Sequence, residues 1–290
     1  MKKLQKKLFL SSIFLFTISF QIVALAKVEI VLGLPLDQNL NLKASIPETS
    51  VSEIILSREQ YVLSYNKNRR SPNWVAWKLE RNLIGSSGRS NNFMIDPELE
   101  IYLKQTNATK SPVNETEYRG SCYDRGHQIP SADRTDTQTN NETTFLMSNM
   151  IPQTAFLNRV VWEHLEQYSR DLVQKQGKKL YIIAGPIYDH DLGFIGPQKD
   201  IPVPSKDFKI IYVLNAGQNI SDINADTPTI SVIMPNILQD GSLPDQNPQD
   251  LCKPLNIKSA DKKDWEKYKT TINEIENISG LKFSTNEAKI

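Results

Sequence analysis

The stretch "SCYDRGHQIP", residues 121–130, sets an acid, an arginine, a glycine and a histidine in a row, with a cysteine two residues ahead of the acid. The 290-residue chain has three histidines, His127, His164 and His190, and one of them stands here. An imidazole suits general-base work because its ordinary pKa is about 6.5. A lone histidine is more often structural, so by itself the stretch leaves both readings open. A tight turn around Gly126, which has no side chain to obstruct it, is expected to bring Arg125 and His127 to one site.

Downstream, "TAFLNRVVWEHLEQYSRDLVQKQG" (154–177) has apolar residues at Leu157, Val161, Leu165, Tyr168 and Leu172. That spacing predicts a helix over about 154–176, with Gly177 as its stop. Asn158, Glu166 and Arg170 fall within about a third of its circumference. The stripe is either one face of a site or a solvated face with a Glu166–Arg170 pair. Eight residues of straight helix rise about 12 Å. Asn158 and Glu166 therefore hold one ion directly only if the helix starts irregularly; otherwise Glu166 acts through water.

The rest of the chain alternates strands and loops. "EIILSREQYVLSYN" (53–66) reads as a hairpin, and "NWVAWKLE" (73–80), "KLYIIAG" (179–185), "FKIIYVLNAG" (208–217) and "TISVIMP" (229–235) read as strands. Residues 85–120 and 239–250 read as loop, and "TINEIENISG" (271–280) as a short helix. No linker or repeat divides the chain, which implies one α+β domain over 51–286 after a lead-in at 27–50. Arg58, Lys67, Arg69, Arg70, Lys78, Arg81 and Arg89 crowd into residues 58–89. They are either a phosphate-neutralising rim or ordinary surface charge, and Tyr65, Trp74 and Trp77 among them either stack on bases or are core and edge aromatics, the commoner case.

The N-terminus has a basic start, "MKKLQKK", an uncharged apolar run and "ALA" at 24–26. These are the parts of a secretory signal peptide, residues 1–26, cleaved after Ala26; an uncleaved anchor is the rival reading. Export to the periplasm or beyond is expected, with no stable membrane association after cleavage. Loss of Lys2, Lys3, Lys6 and Lys7 takes the formal charge from +1 to −3, so an anionic polymer would need a local basic surface. In an oxidising compartment Cys122 and Cys252 can form a disulfide, tying the segment before His127 to the C-terminal region; two free thiols are the alternative.

No zinc spacing, Walker loop, dinucleotide fingerprint or nucleophile elbow is present. "DRGHQIPSADR" followed by "TTFLMSNMIPQTAFLNRVVWEHLEQYSR" resembles the DNA/RNA non-specific endonucleases of the ββα-metal type, the family of secreted sugar-non-specific nucleases and endonuclease G. The likeness extends to "QYVLSYNKNRRSPNWVAWKL", "GRSNNF", "KKLYIIAGPIY" and "TINEIENISGLKF", covering most of residues 50–285 but not the loop near 239–252. It implies a central antiparallel sheet flanked by helices and hydrolysis of DNA and RNA to 5′-phosphate ends. It also implies His127 as general base and Asn158 as the direct ligand of Mg2+, with Mn2+ a possible substitute. Glu166 would order water on the metal, and Arg89, Arg125 and Arg170 would bind the scissile phosphate. Asn149 would support the site. Two further readings are a catalytically silent nucleic-acid binder on the same scaffold and a phosphodiesterase of small extracellular substrates. The sequence names neither an inhibitor nor an oligomeric state.

Overall fold

The computed structural model describes residues 43–45, 53–256 and 261–284. The expected signal peptide and most of the lead-in lie outside the described residues. Short strand β1 (Lys43–Ser45) pairs with the last strand, β12 (Lys282–Ser284). The main sheet has six strands: β2 (Glu53–Ser57), β3 (Val62–Asn66), β4 (Ser71–Leu79), β7 (Lys179–Ile187), β10 (Lys206–Leu214) and β11 (Thr229–Pro235). All neighbours are antiparallel, in the order β11-β10-β7-β4-β3-β2. Two small pairs complete the strands: β5 (Asp124–His127) with β6 (Met150–Gln153), and β8 (Phe194–Ile195) with β9 (Ile201–Pro202).

Side chains alternate across each strand, and both faces of the sheet are covered. On β10, Phe208, Ile210, Tyr212 and Leu214 join a core completed by Ile275 of helix α4 (Ile272–Ser279). Ile211 and Val213 turn the other way, towards Leu165, Leu172 and Val173 of helix α3 (Glu163–Gln176). Each fully buried leucine there stabilises the fold by about 1.5–3 kcal/mol. Gly177 ends α3 at φ 66°, a left-handed cap that glycine adopts without a Cβ penalty. Trp74, Trp77 and Tyr65 are core residues.

The structure corrects three expectations. Residues 85–120 contain helix α1 (Pro97–Gln105), whose start is written in the sequence. The Asp96 carboxylate accepts from the Glu98 and Leu99 N–H groups, and Pro97 fills the first position. Second, the cluster at 58–89 is not one phosphate rim. Arg58 is buried on Asp96 at 2.6 Å, Arg70 on Glu117 at 2.7 Å and Asp200 at 2.8 Å, and Lys78 pairs with Glu80 at 2.6 Å.

Third, "DRGH" is strand β5, not a tight turn. In a strand, residues two apart share a face, so Arg125 and His127 come together without a bend. Between β5 and β6 the chain makes a long excursion that includes helix α2 (Gln138–Thr143). Gly126 is required by a close approach. A Cβ there would stand 2.1 Å from Gln153 Oε1 and 2.4 Å from its Cδ. Gln153 cannot swing away, because it is fully buried and donates to Asp207. Gly126→Ala is therefore expected to destabilise the protein by about 1–3 kcal/mol, the usual cost of overpacking. Thermal unfolding checks this, and Gly126→Ala/Gln153→Ala should recover part of the loss.

Candidate active site

His127 ends β5, is 7 % exposed, and packs edge-on against Phe145 and Phe93, with ring centroids at 4.9 Å and 5.7 Å. Its Nε2 has no hydrogen-bond partner among the described residues. Burial, and then the positive charge of Arg89, push its pKa down to about 3, while a bond from the ring to the Arg125 backbone pulls it back up. The imidazole is thus held neutral, with one ring nitrogen on the Arg125 backbone and Nε2 buried and unbonded.

Two arginines flank it. Arg125 stacks on Phe93 at 3.9 Å and is held by Glu115 at 3.0 Å. Arg89 is exposed, lies over Phe145 at 4.9 Å and donates to Ser131 at 2.6 Å and Asn91 at 2.8 Å. The third, Arg170, is buried and occupied: it faces Asp133 at 3.3 Å, Gln167 at 3.2 Å and Glu163 at 3.6 Å. An intrahelical Glu166–Arg170 contact is not what ties it down.

The helix does start irregularly. Residues Leu157–Trp162 form a π-helical segment that runs into α3, a widened turn often found at functional sites. Asn158 lies in it. Its Nδ2 donates to Asp124 at 2.8 Å, and Asp124 also accepts from Arg159 Nε at 2.7 Å. This fixes the amide plane and leaves Oδ1 as an oriented neutral oxygen. Asn158 thus connects to His127 through strand β5. Glu166 stands on α3 with its side chain 12 % exposed, and Lys209 of β10 lies 3.8 Å away. Burial raises the Glu166 carboxyl to about 7, against the pull of Lys209 and Arg170; Glu166 also acts electrostatically on Arg89.

Asn149 directly precedes Met150, the register partner of His127. Its amide accepts from Ile129 N–H at 3.1 Å and donates to the Ile129 and Thr144 carbonyls at 3.0 Å and 2.9 Å. It clamps the chain just after His127. Cys122 is joined to Cys252 with Cα atoms 5.1 Å apart, which fastens the 239–252 loop beside the entry to β5. His164 and His190 pair with Asp264 at 2.9 Å and Asp245 at 3.1 Å.

A model of the DNA/RNA non-specific endonuclease family matches residues 39–289. The chain belongs to that family. It is a nuclease, a hydrolase acting on nucleic acid. A nuclease of Nostoc sp. is 40 % identical over 235 residues, covering 80 % of this chain and 73 % of that one. Mitochondrial endonuclease G of Homo sapiens is 29 % identical over 241 residues, covering 79 % and 69 %. The crystal structure of the EndoG/EndoGI complex superposes with a TM-score of 0.59 at 24 % identity, covering 79 % of this chain and 84 % of that one. The nuclease is therefore α+β with the ββα-metal arrangement, its β5–β6 hairpin and the helix after it forming the motif.

Sequence reasoning missed Glu115, Phe93 and Phe145, which hold the arginines and the imidazole, and Asp133, Asp207 and Lys209, which lie beneath them. "DFK" (207–209) carried a signal: two opposite charges two residues apart, ahead of the apolar run "IIYVL", share one buried face of β10. His127 should stay neutral from about pH 5 upward, since burial and Arg89 both disfavour the imidazolium. Histidine-selective NMR tests this. The imidazole resonance missing in His127→Ala should show no titration near about pH 6.5.

Proposed function

We propose that this nuclease is an exported, metal-dependent endonuclease that hydrolyses DNA and RNA without sequence specificity and leaves 5′-phosphate ends. The observation that carries the reading is the buried, neutral His127 with an unbonded Nε2, beside exposed Arg89 and on the strand whose Asp124 orients Asn158. Export rests on the sequence of residues 1–26.

In this reading His127 Nε2 takes a proton from water as that water attacks phosphorus, and the 3′-oxygen leaves. Arg89 and Arg125 meet the phosphate where negative charge grows. Their guanidiniums are pre-placed by Ser131, Asn91, Glu115 and Phe93, so little ordering is left to the moment of reaction. Arg170 and Asn149 act as positioning residues, one behind Glu166 and one behind His127. Contacts to phosphate and sugar carry no base information, which fits a substrate range of DNA and RNA.

The donor set suits a hard divalent cation: an oriented neutral oxygen at Asn158 and a carboxylate at Glu166. Asn158 would hold Mg2+, or Mn2+ in its place, with Glu166 acting through water. Such an ion, when bound, offsets charge on the phosphate and on the leaving oxygen.

His127→Ala should lower plasmid DNA and RNA cleavage by about 10²–10⁴-fold, the range for a lost general base, with the fold intact by circular dichroism. Chelation should abolish wild-type activity, and Mg2+ or Mn2+ should restore it. Full activity of His127→Ala would sink the mechanism. Binding of DNA with no cleavage under any metal would favour a silent binder. Cleavage of a dinucleotide but not of plasmid would favour a small-substrate phosphodiesterase.

A further inference from the structure

Lys209 is 1 % exposed on β10, an interior strand of the main sheet and an uncommon place for an ammonium group. Its Nζ lies 3.9 Å from the centre of the Trp162 ring and 5.7 Å from that of Trp77. Trp162 closes the π segment that carries Asn158, and Trp77 donates its indole N–H to Asp133 at 2.9 Å. Glu166 Oε1 stands 3.8 Å from Nζ. Asp133, Arg170 and Asp207 also act on the ammonium, and burial lowers its pKa against the pull of Glu166.

A purely structural account of this lysine is weak. Removing a cation from water is costly, and a buried ion pair is often matched or bettered by apolar side chains of similar volume. A methionine would fill the indole box with no charge to desolvate. What methionine would not supply is a fixed positive charge beneath Glu166.

We propose that Lys209 is the positioning residue of Glu166: a buried ammonium, boxed by two indoles, that holds the carboxylate at the rim where Arg89 stands. The same face of β10 supports the site twice. Asp207, two residues before, accepts from Gln153, whose side chain lies against Gly126 of the catalytic strand. Lys209 is buried behind Glu166, so it acts on turnover and on metal affinity through that carboxylate. The inference rests on the reading that Glu166 works in the site.

The test uses the full chain in four forms: wild type, Lys209→Met, Glu166→Gln and the double variant. Each is assayed for kcat and KM on DNA, for melting, and for Mn2+ binding by electron paramagnetic resonance. Lys209→Met should fold, lose about 10–100-fold in kcat as supporting residues of metal sites do, keep KM for DNA within about twofold, and bind Mn2+ more weakly. In the Glu166→Gln background the same substitution should change neither kcat nor Mn2+ affinity further. Wild-type kcat in Lys209→Met, or losses that multiply in the double variant, would overturn the role of Lys209. Full activity of Glu166→Gln would instead overturn the role given to Glu166. Should Lys209→Met not fold, Lys209→Gln carries the same test and the same outcomes.

Discussion

One carboxylate joins the two halves of the site. Asp124 begins β5 and accepts from Asn158 and Arg159 at the start of the long helix. The chain itself passes from β6 through Thr154 into the helix, where the Thr154 carbonyl and hydroxyl accept from Asn158 N–H at 3.0 Å and Leu157 N–H at 3.2 Å, but among the described residues only Asp124 ties the β5 strand to the Asn158 side chain. Hydrogen bonds to a charged acceptor are short and directional. Asp124 therefore sets how the hairpin and the helix face one another. Close packing of Gln153 on Gly126 keeps the hairpin seated, and the Asn149 clamp holds the chain where it leaves β5. The disulfide at Cys122 anchors the chain just before Asp124.

Below this layer the protein keeps several ionisable groups away from water. Burial pushes the carboxyls of Glu166 and Asp207 up to about 7 and the Lys209 ammonium down. Each group disfavours its own charge and is restored by neighbours of opposite sign. Such an arrangement is an uneconomical way to stabilise a fold, and it is concentrated beneath the site. The ion pairs of Arg58, Arg70 and Lys78 differ: Arg58 and Arg70 join the ends of strands to Asp96 and Glu117 of distant segments, and Lys78 pairs with its near neighbour Glu80.

Local periodicity made much of the architecture legible. The apolar runs at 179–185, 208–217 and 229–235 are β7, β10 and β11, and the spacing from Leu157 to Leu172 is the long helix. The β5–β6 hairpin was hidden because four residues with two charges and a glycine have no strand signature, and their partner lies beyond a long excursion. Helix α1 was hidden by polar neighbours, although Asp96-Pro97 marks its start. In the site, chemistry-bearing residues stood out as motifs, whereas those that hold them did not. Phe93, Glu115 and Lys209 owe their roles to contacts across 32, 10 and 43 positions of chain, to Arg125, Arg125 again and Glu166, and no single-sequence pattern encodes such pairings.

The π segment gives the helix a constraint of length as well as of composition. Leu157–Trp162 is a widened turn that contains Asn158 and precedes Glu166. Removing one residue after Asn158 within it would let the backbone relax to ordinary helical pitch. The same deletion would narrow the turn around Asn158 and change where its amide points relative to Glu166. Every side chain named in the mechanism would still be present, yet the register between the two ends would be lost. A deletion variant that kept both its helicity and its nuclease activity would refute this. Residue count in that turn is thus a dimension of the site in its own right, beside the identity of its side chains.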